Sequence, residues 1–265
     1  MYPTTYHKPE TLEAASATLG DAEEAKILAG GHTLLPTMKN HLAAPTDLVD
    51  IRGIAALNGI SEDGGTLTIG ATTTHAEVSN SPVVASACPA LACLAGGIGD
   101  PAVRHVGTIG GSVANNDPAA DYPAAVLGLG ATVVTNRRDI AAEDFFDGMF
   151  ATVLEEGEII TSVRFPKCDL AGYSKFPNPA SRYAMVGVFV AKSGGSVRVA
   201  VTGAGEDGVF RHEGLEAALS ANFSPDAVDG VAISSDGLLS DLHGDADYRA
   251  NLIRVMAKRA VSAVA

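Results

Sequence analysis

Near the start of the chain, segments with helical spacing of apolar residues take turns with short continuous apolar runs. Helical spacing of apolar residues predicts helices over residues 11–19 and 34–42, the second with Pro36 in its first turn, where proline is tolerated. Short apolar runs over residues 26–29 and 47–51 predict buried strands. A strand, a helix and a strand within about 30 residues have the length of a small βαβ unit, so residues 1–52 are expected to form one.

The pattern changes after residue 53, where strands and helices no longer alternate regularly. Strands are predicted over residues 66–69, 131–135 and 159–165. Helices are predicted over residues 74–78, 82–94 and 123–128, with a glycine-rich loop system over residues 96–121. This mixture favours a larger α+β subdomain, residues 53–168.

After Pro166 the pattern is that of a hairpin. Strands are predicted over residues 184–192 and 196–202, joined by a Ser-Gly-Gly sequence that suits a tight turn. Helices are predicted over residues 215–219 and 251–265, and residues 168–180, which contain one glycine and two prolines, are expected to be a linker. Residues 169–265 should therefore form a small C-terminal α+β domain with an antiparallel sheet, which makes the whole chain α+β.

Charge and cysteine content narrow the classes of function. The chain has 18 Lys and Arg against 31 Asp and Glu, a net charge of −13, whereas a nucleic-acid-binding protein needs a basic surface. Cys88 and Cys93 lack the further cysteines of an iron–sulfur site, and Cys168 makes the number odd for a disulfide framework. The histidines are not spaced as metal ligands, and the sequence carries no secretory or transmembrane pattern. We expect a cytoplasmic protein with no metal in this chain and no nucleic-acid partner.

The first candidate for a ligand site is the run Ala29-Gly30-Gly31-His32-Thr33, between a predicted strand and a predicted helix. Glycine lets a backbone approach a phosphate closely, and a helix N-terminus carries a partial positive charge. Amide groups of this run can therefore converge on an anion. A plain strand-to-helix turn is the alternative interpretation, because the run is neither a dinucleotide-binding nor a P-loop motif.

A second, denser run extends from Gly107 to Asp121 and again combines glycines with hydroxyl and amide residues. Asp121 stands just before a predicted helix and can accept hydrogen bonds from a ribose. The alternative role of Asp117 and Asp121 is to cap the helix that contains Pro123. Two such runs some 80 residues apart indicate an elongated ligand with a pyrophosphate in its middle, held by neutral backbone donors in an acidic protein.

The two runs, AGGHTLLP and GTIGGSVANNDPAADYPA, resemble the FAD-binding medium subunits of the molybdenum hydroxylases, the family of carbon monoxide dehydrogenase and xanthine dehydrogenase. The resemblance covers the whole chain and includes GGIGDP at residues 96–101, Val103-Arg104, Glu158-Ile159-Ile160 and KFPNPASRYA at residues 175–184. Two departures are visible: Thr33 stands where serine is commoner, and Ala102 stands where relatives often have glutamine.

The resemblance implies that FAD lies in a cleft between the first two parts of the chain. Ten positions would then line its pyrophosphate: Ala29, Gly30, Gly31, His32, Thr33, Thr108, Ile109, Gly110, Gly111 and Ser112. Asp121 would bind the adenosine ribose, and Ile98 would pack near the adenine. Ile160 is a further expected cofactor-binding position, and Lys175 or Tyr183 would approach the isoalloxazine.

The resemblance also implies an electron-transfer subunit with two kinds of partner. Electrons would pass from [2Fe-2S] clusters in a small subunit through FAD to NAD⁺, a quinone or oxygen, while a large subunit holds a molybdenum cofactor. A dimer of such heterotrimers is expected, with the carbon monoxide dehydrogenase type favoured over the aldehyde and xanthine types. Two alternatives remain open: a dinucleotide-binding structural subunit without redox turnover, and a stand-alone FAD oxidoreductase.

Overall fold

The computed structural model describes residues 1–264 and begins with a small parallel sheet. Its strands, in the order β1-β3-β2, are β1 (Thr5–His7), β2 (Ala25–Leu28) and β3 (Asp47–Asp50). Helix α1 (Leu12–Asp21) connects β1 to β2, and α2 (Leu34–Lys39) connects β2 to β3. The predicted βαβ unit is confirmed, and α1 closes its core because Ala15 and Leu19 pack against Val49.

The second sheet is antiparallel and has the strand order β4-β5-β8-β6-β7. Its strands are β4 (Ile60–Asp63), β5 (Thr66–Gly70), β6 (Thr132–Thr135), β7 (Asp139–Ala141) and β8 (Ile160–Pro166). Alternate residues of these strands, such as Leu67 and Ile69, are buried on one face. That face packs against helices from the intervening segment, which gives the α+β arrangement expected from the sequence.

Six helices lie between β5 and β6: α3 (His75–Asn80), α4 (Pro82–Ala87), α5 (Pro89–Gly96), α6 (Pro101–Val106), α7 (Ile109–Asn115) and α8 (Tyr122–Leu129). The predicted single helix over residues 82–94 is wrong, because Pro89 disfavours the helical conformation of Cys88 and divides it. The predicted loop over residues 96–121 is also wrong, since Asp100 and Thr108 cap two helices within it. A short helix, α9 (Ala142–Phe145), follows β7.

The third sheet is antiparallel, in the order β12-β11-β10-β9, and confirms the predicted hairpin. Its strands are β9 (Leu170–Pro177), β10 (Ala184–Ser193), β11 (Ser196–Gly205) and β12 (Gly208–Arg211). The predicted linker over residues 168–180 is thus largely strand β9. Its Gly172 is needed for packing rather than for a turn, because a side chain there would collide with the carbonyl group of Ala260.

Two helices complete the C-terminal part: α10 (Glu213–Ala221) and α11 (Ala246–Ser262). The predicted final helix therefore starts five residues earlier than residue 251, after the cap Asp245, and its predicted last residue, Ala265, lies outside the described residues. One face of the third sheet packs on α11, and the other joins the core of the second sheet through Phe189 and Ala200. No helix within residues 1–264 has both the length and the apolar character needed to cross a bilayer.

Candidate functional site

The first glycine segment, residues 29–33, connects the end of β2 to the start of α2. Within residues 1–264, the backbone amides of Gly30, Gly31, His32 and Thr33 have no hydrogen-bond acceptor. Gly31 has φ +69, a left-handed conformation that glycine adopts without strain. Thr33 stands at the cap position of α2, but its side chain makes no capping bond. The segment therefore presents four amide donors and a hydroxyl group toward any ligand beside it.

The second glycine segment, residues 107–121, differs because its amides are already engaged. Those of Ile109 and Gly110 donate to carbonyl groups of the loop after β5, at 3.1 and 2.9 Å. The amides of Gly111 and Ser112 donate to the hydroxyl and carbonyl groups of Thr108, at 3.2 and 3.0 Å. These four amides therefore tie the start of α7 to Thr108 and to the loop after β5, and they are not free donors for a pyrophosphate in this structure.

The structure nevertheless brings the two glycine segments into direct contact. A side chain at Gly30 would place its Cβ 2.6 Å from the carbonyl oxygen of Val106 and 2.7 Å from Cα of Gly107. A Cβ at Gly111 would lie 3.7 Å from Cβ of Ala29. Only glycine allows two backbones to approach so closely. The second segment therefore supports the first from behind and limits the space in which a ligand can lie.

His75 lies where the two segments meet, although the sequence analysis gave it no role. Its amide donates to the carbonyl group of Gly107 at 2.9 Å, and the side chain is 5% exposed. Nδ1 has no hydrogen-bond partner among the described residues. Burial, together with the nearby His32 and Arg104, lowers the pKa of His75 to about 4. The imidazole is therefore neutral at pH 7.

Asp121 is 5% exposed and lies at the junction with the third sheet. Its Oδ1 accepts a hydrogen bond from the hydroxyl group of Tyr173 at 2.5 Å, and Nζ of Lys175 is 2.9 Å from Oδ1 and 3.1 Å from Oδ2. Burial raises the pKa of Asp121, while Lys175 and Tyr173 oppose that rise. The side chain makes no capping bond to α8, so the capping alternative is wrong for Asp121.

Two of the expected ligand contacts are incompatible in this geometry. The resemblance implies Asp121 at the adenosine ribose and Lys175 or Tyr183 at the isoalloxazine, which are at opposite ends of FAD. The structure pairs Asp121 directly with Lys175, so these two side chains lie at one place and cannot contact opposite ends of one ligand. Tyr183 is 45% exposed, and Asp117 and Asp121 add to the effect of burial in raising its pKa. A Cβ at Gly97 would lie 3.9 Å from Cε of Lys175, which places α5 on the same side.

Two other predicted positions contribute less to an open surface. Ile98 is half-buried and packs against the core of the second sheet, while its carbonyl group accepts a hydrogen bond from Arg104 at 3.0 Å. Ile160 is 5% exposed, and its side chain belongs to that core. The side chain of Ile160 is therefore part of this core and not of an exposed surface.

The arrangement fits a dinucleotide. Free amides at residues 30–33 supply donors for a pyrophosphate without a cluster of cations, and the close contact of Gly30 with Val106 and Gly107 packs this run against the second segment. Residues 2–168 match the family described as the FAD binding domain in molybdopterin dehydrogenase.

The chain belongs to this family of molybdenum hydroxylase FAD-binding medium subunits. It is 38% identical to the carbon monoxide dehydrogenase medium chain of Hydrogenophaga pseudoflava, over 97% of this chain and 96% of the relative. It is 34% identical to the nicotine 6-hydroxylase medium subunit of Paenarthrobacter nicotinovorans, over 97% and 95% of the two chains. A solved structure of reconstituted CO dehydrogenase from Oligotropha carboxidovorans superimposes with a TM-score of 0.89 at 35% identity, covering 99% of this chain and 98% of that one.

These likenesses confirm several expectations at once. The α+β fold class, the family, FAD as the cofactor of this medium subunit and the class of oxidoreductase subunits are all as the sequence indicated. The relatives are medium chains, which are components of enzymes with several subunits.

Proposed function

We propose that this chain carries electrons from [2Fe-2S] clusters of a small partner subunit, through FAD, to an external acceptor: NAD⁺, a quinone or oxygen. The observation that supports this proposal most is the row of four free amides beside a glycine–glycine contact, in a chain similar over its whole length to medium chains of dehydrogenases. When bound, FAD supplies the redox chemistry, because flavins accept electrons singly and release them in pairs.

The first glycine segment binds the pyrophosphate in this proposal. The amides of Gly30, Gly31, His32 and Thr33 donate to its oxygens, with Ala29 alongside. The second segment holds the first in place, and Thr108 contributes to this by accepting the amide of Gly111 with its hydroxyl group, while Ser112 remains a proposed contact of the pyrophosphate. Ile109, Gly110 and Gly111 act through packing and not through their amides.

The pair Asp121–Lys175 takes a different role from the one implied by the resemblance. Both oxygens of Asp121 are within hydrogen-bond distance of Lys175 or Tyr173, so we assign Asp121 to holding Lys175 and not to the adenosine ribose. Lys175 then faces the isoalloxazine, and the exposed ring of Tyr183 lies beside it. Ile98 remains the candidate for the adenine side, and Ile160 supports the site from the core.

The relatives support the proposed partners. We assign a large subunit with a molybdenum cofactor and a small subunit with [2Fe-2S] clusters to the same assembly, a dimer of heterotrimers. We place this assembly in the cytoplasm, because the three cysteines of this chain are free and fit a reducing compartment. The carbon monoxide dehydrogenase type is favoured by the 38% identity to such a medium chain. Residues 1–52, 53–168 and 169–265 are proposed as the three structural units, since each contains one of the three sheets.

The visible absorption spectrum of the purified chain tests the function. We expect one FAD per chain, identified by chromatography after release, that anaerobic dithionite reduces and an acceptor reoxidises. FAD that binds but cannot be reduced and reoxidised would favour the structural subunit without redox turnover. A colourless chain that takes up no added FAD would contradict the proposal.

A further inference from the structure

Arg249 is a buried cation in the first turn of α11. The residue is 3% exposed, and Nη1 donates to the carbonyl groups of Met185 and Gly203, at 2.7 and 2.8 Å. Nη2 donates to Oδ2 of Asp241 at 2.8 Å. Because a buried guanidinium group is costly to desolvate, it must keep its hydrogen bonds to all three acceptors. The planar group has fixed donor directions, so these bonds hold the surrounding backbone in one geometry.

The two carbonyl groups belong to irregular ends of neighbouring strands. The register of β10 against β9 shifts between Ala184 and Val186, and that of β11 against β12 shifts between Val201 and Gly205. Bulges of this kind leave backbone groups without their regular ladder partners. Gly203 has φ +82, and a side chain there would collide with the carbonyl group of Ala184. The guanidinium group of Arg249 thus replaces the missing ladder donors on both strands.

The same strand ends hold residues 118–120 of the second glycine segment. The amide of Gly203 donates to the carbonyl group of Pro118 at 2.8 Å, and the amide of Ala184 donates to that of Ala119 at 3.2 Å. The hydroxyl group of Thr202 donates to the carbonyl groups of Pro118 and Ala120, at 3.0 and 2.7 Å. The next residue along the chain is Asp121.

We propose that Arg249 is a positioning residue for the FAD site. By fixing the bulged ends of β10 and β11, it fixes residues 118–120, and through them the carboxylate of Asp121 and the ammonium group of Lys175. The part that concerns FAD rests on the proposed function. The part that concerns residues 118–120 depends only on the backbone contacts of the chain.

The first test is amide hydrogen exchange on the 265-residue chain without added FAD. Arg249→Lys retains the charge but cannot bridge both carbonyl groups and Asp241 in the same geometry. We expect the amides of Ala184 and Gly203 to exchange faster by on the order of tenfold, because each depends on the contact with residues 118–120. Arg254→Lys is the matched control: Arg254 lies on the same helix, and its Nη1 donates to the carbonyl groups of Val228 and Asp229 instead.

The second test is the dissociation constant of FAD, measured by quenching of flavin fluorescence. Arg249→Lys should weaken binding by on the order of tenfold and Arg254→Lys should leave it unchanged. In the background of Asp121→Asn the effect of Arg249→Lys should shrink to less than about twofold, because both changes act through one contact chain. If Arg249→Lys acted through a general loss of folding, its effect on FAD affinity would add to that of Asp121→Asn and would have the same size in both backgrounds.

If Arg249→Lys fails to fold, Asp241→Asn serves in its place, since it removes the charged partner of Arg249 and leaves the contacts of residues 118–120 in place. Unchanged exchange at Ala184 and Gly203 in a folded variant overturns the proposal, whether or not FAD binds. Faster exchange with no change in FAD affinity overturns the role in cofactor binding. A wild-type chain that binds no FAD, yet shows the faster exchange in the variant, contradicts the proposed function and leaves the positioning of residues 118–120 supported.

Discussion

The two glycine segments have similar sequences and opposite hydrogen-bonding patterns. Each combines paired glycines, a hydroxyl residue and the start of a helix. In the first, the amides of Gly30 and Gly31 have no acceptor among the described residues, whereas in the second those of Gly110 and Gly111 donate within the chain. Glycine pairs therefore indicate close backbone approach, and whether the approaching group is a ligand or another part of the chain depends on the neighbours.

The neighbours of the second segment explain the difference. The loop after β5 runs antiparallel to it through an isolated bridge between Thr74 and Thr108, and this loop supplies carbonyl acceptors. The first segment follows the last residue of β2 at the carboxyl edge of a parallel sheet. It touches Val106 and Gly107, but no group within residues 1–264 accepts its amides. In the proposed function, the first segment therefore binds the ligand and the second supports the first.

The largest change in the free energy of unfolding is expected at Asp121, the residue of the second segment that pairs with Lys175 and Tyr173. Asp121→Asn removes the charge that compensates Lys175, whose side chain is 12% exposed. Breaking a buried ion pair costs about 3 to 5 kcal/mol, and we expect the free energy of unfolding in urea to fall by that order. The matched control is Lys258→Met, whose exposed pair with Asp229 should change it by less than about 1 kcal/mol. Equal losses in the two variants would show that Asp121 is not a buried partner.

The next effect concerns His75, which lies between the two segments. The pKa of His75 is about 4 in the folded chain, whereas the ordinary value of 6.5 applies to the unfolded chain. As the pH falls, the unfolded chain therefore takes up the proton before the folded chain does. The contribution of neutral His75 to the free energy of unfolding is complete above pH 6.5. It is lost as the pH falls toward 4, and the total loss is about 3 kcal/mol.

Urea titrations between pH 7 and pH 4 check this dependence. His75→Gln should remove that part of the slope of unfolding free energy against pH, whereas His105→Gln, at an exposed position on α6, should retain it. Identical slopes in the wild-type chain and His75→Gln would mean that the imidazole is not buried in the neutral form.

A third prediction compares the segments directly. Gly30→Ala and Gly110→Ala each introduce a Cβ about 2.6 Å from an existing atom, so each should lower the free energy of unfolding by about 1 to 3 kcal/mol. Only Gly30→Ala should weaken FAD binding by about tenfold or more, because only that segment contributes free amides.

Gly20→Ala is the control for this pair, since a Cβ at Gly20 meets nothing within 4 Å and alanine in a helix is favoured by roughly 0.5 to 1 kcal/mol. Equal losses of FAD affinity in the Gly30 and Gly110 variants would remove the distinction between a binding and a supporting segment.

The smallest effect separates the two threonines. Thr108→Ala removes the acceptor of the Gly111 amide and should lower the free energy of unfolding by about 1 kcal/mol, as measured by thermal and urea unfolding. Thr33→Ala removes no capping bond and should change it by less than about 0.5 kcal/mol. Its effect should appear as weaker FAD binding instead. A stability loss at Thr33 equal to that at Thr108 would count against a free hydroxyl group.

Much of the fold could be predicted because its signals are local. The βαβ unit and the β10–β11 hairpin follow from apolar spacing and turn residues within short stretches. Pro89 was a local signal for the division of the helix over residues 82–94. Asp100 and Thr108 were local signals for two helix starts, but the many glycines over residues 96–121 favoured a loop there. Strand β9 was missed because Gly172 depends on the approach of Ala260, which no local pattern shows.

The candidate site was predictable in its members and not in its contacts. Motif resemblance identified Asp121 and Lys175, yet their pairing joins positions 54 residues apart, and only the packed sheets show it. His75 had one local signal, the capping box formed by Thr74 and Glu77 around it, which marks a helix start without revealing burial. Unpaired amides depend on what lies next to them, so no pattern within one segment could distinguish Gly30 from Gly110.

The most direct test of the account is nuclear magnetic resonance of the chain labelled with ¹⁵N only at glycine, titrated with FAD. Gly30→Ala, Gly31→Ala and Gly110→Ala assign the three decisive resonances by their disappearance. We predict a downfield shift of the Gly30 and Gly31 amide protons as they donate to the pyrophosphate, with the Gly110 amide unmoved because it donates to Ala71 at 2.9 Å. Binding of FAD that shifts Gly110 and leaves Gly30 and Gly31 unmoved would contradict the account.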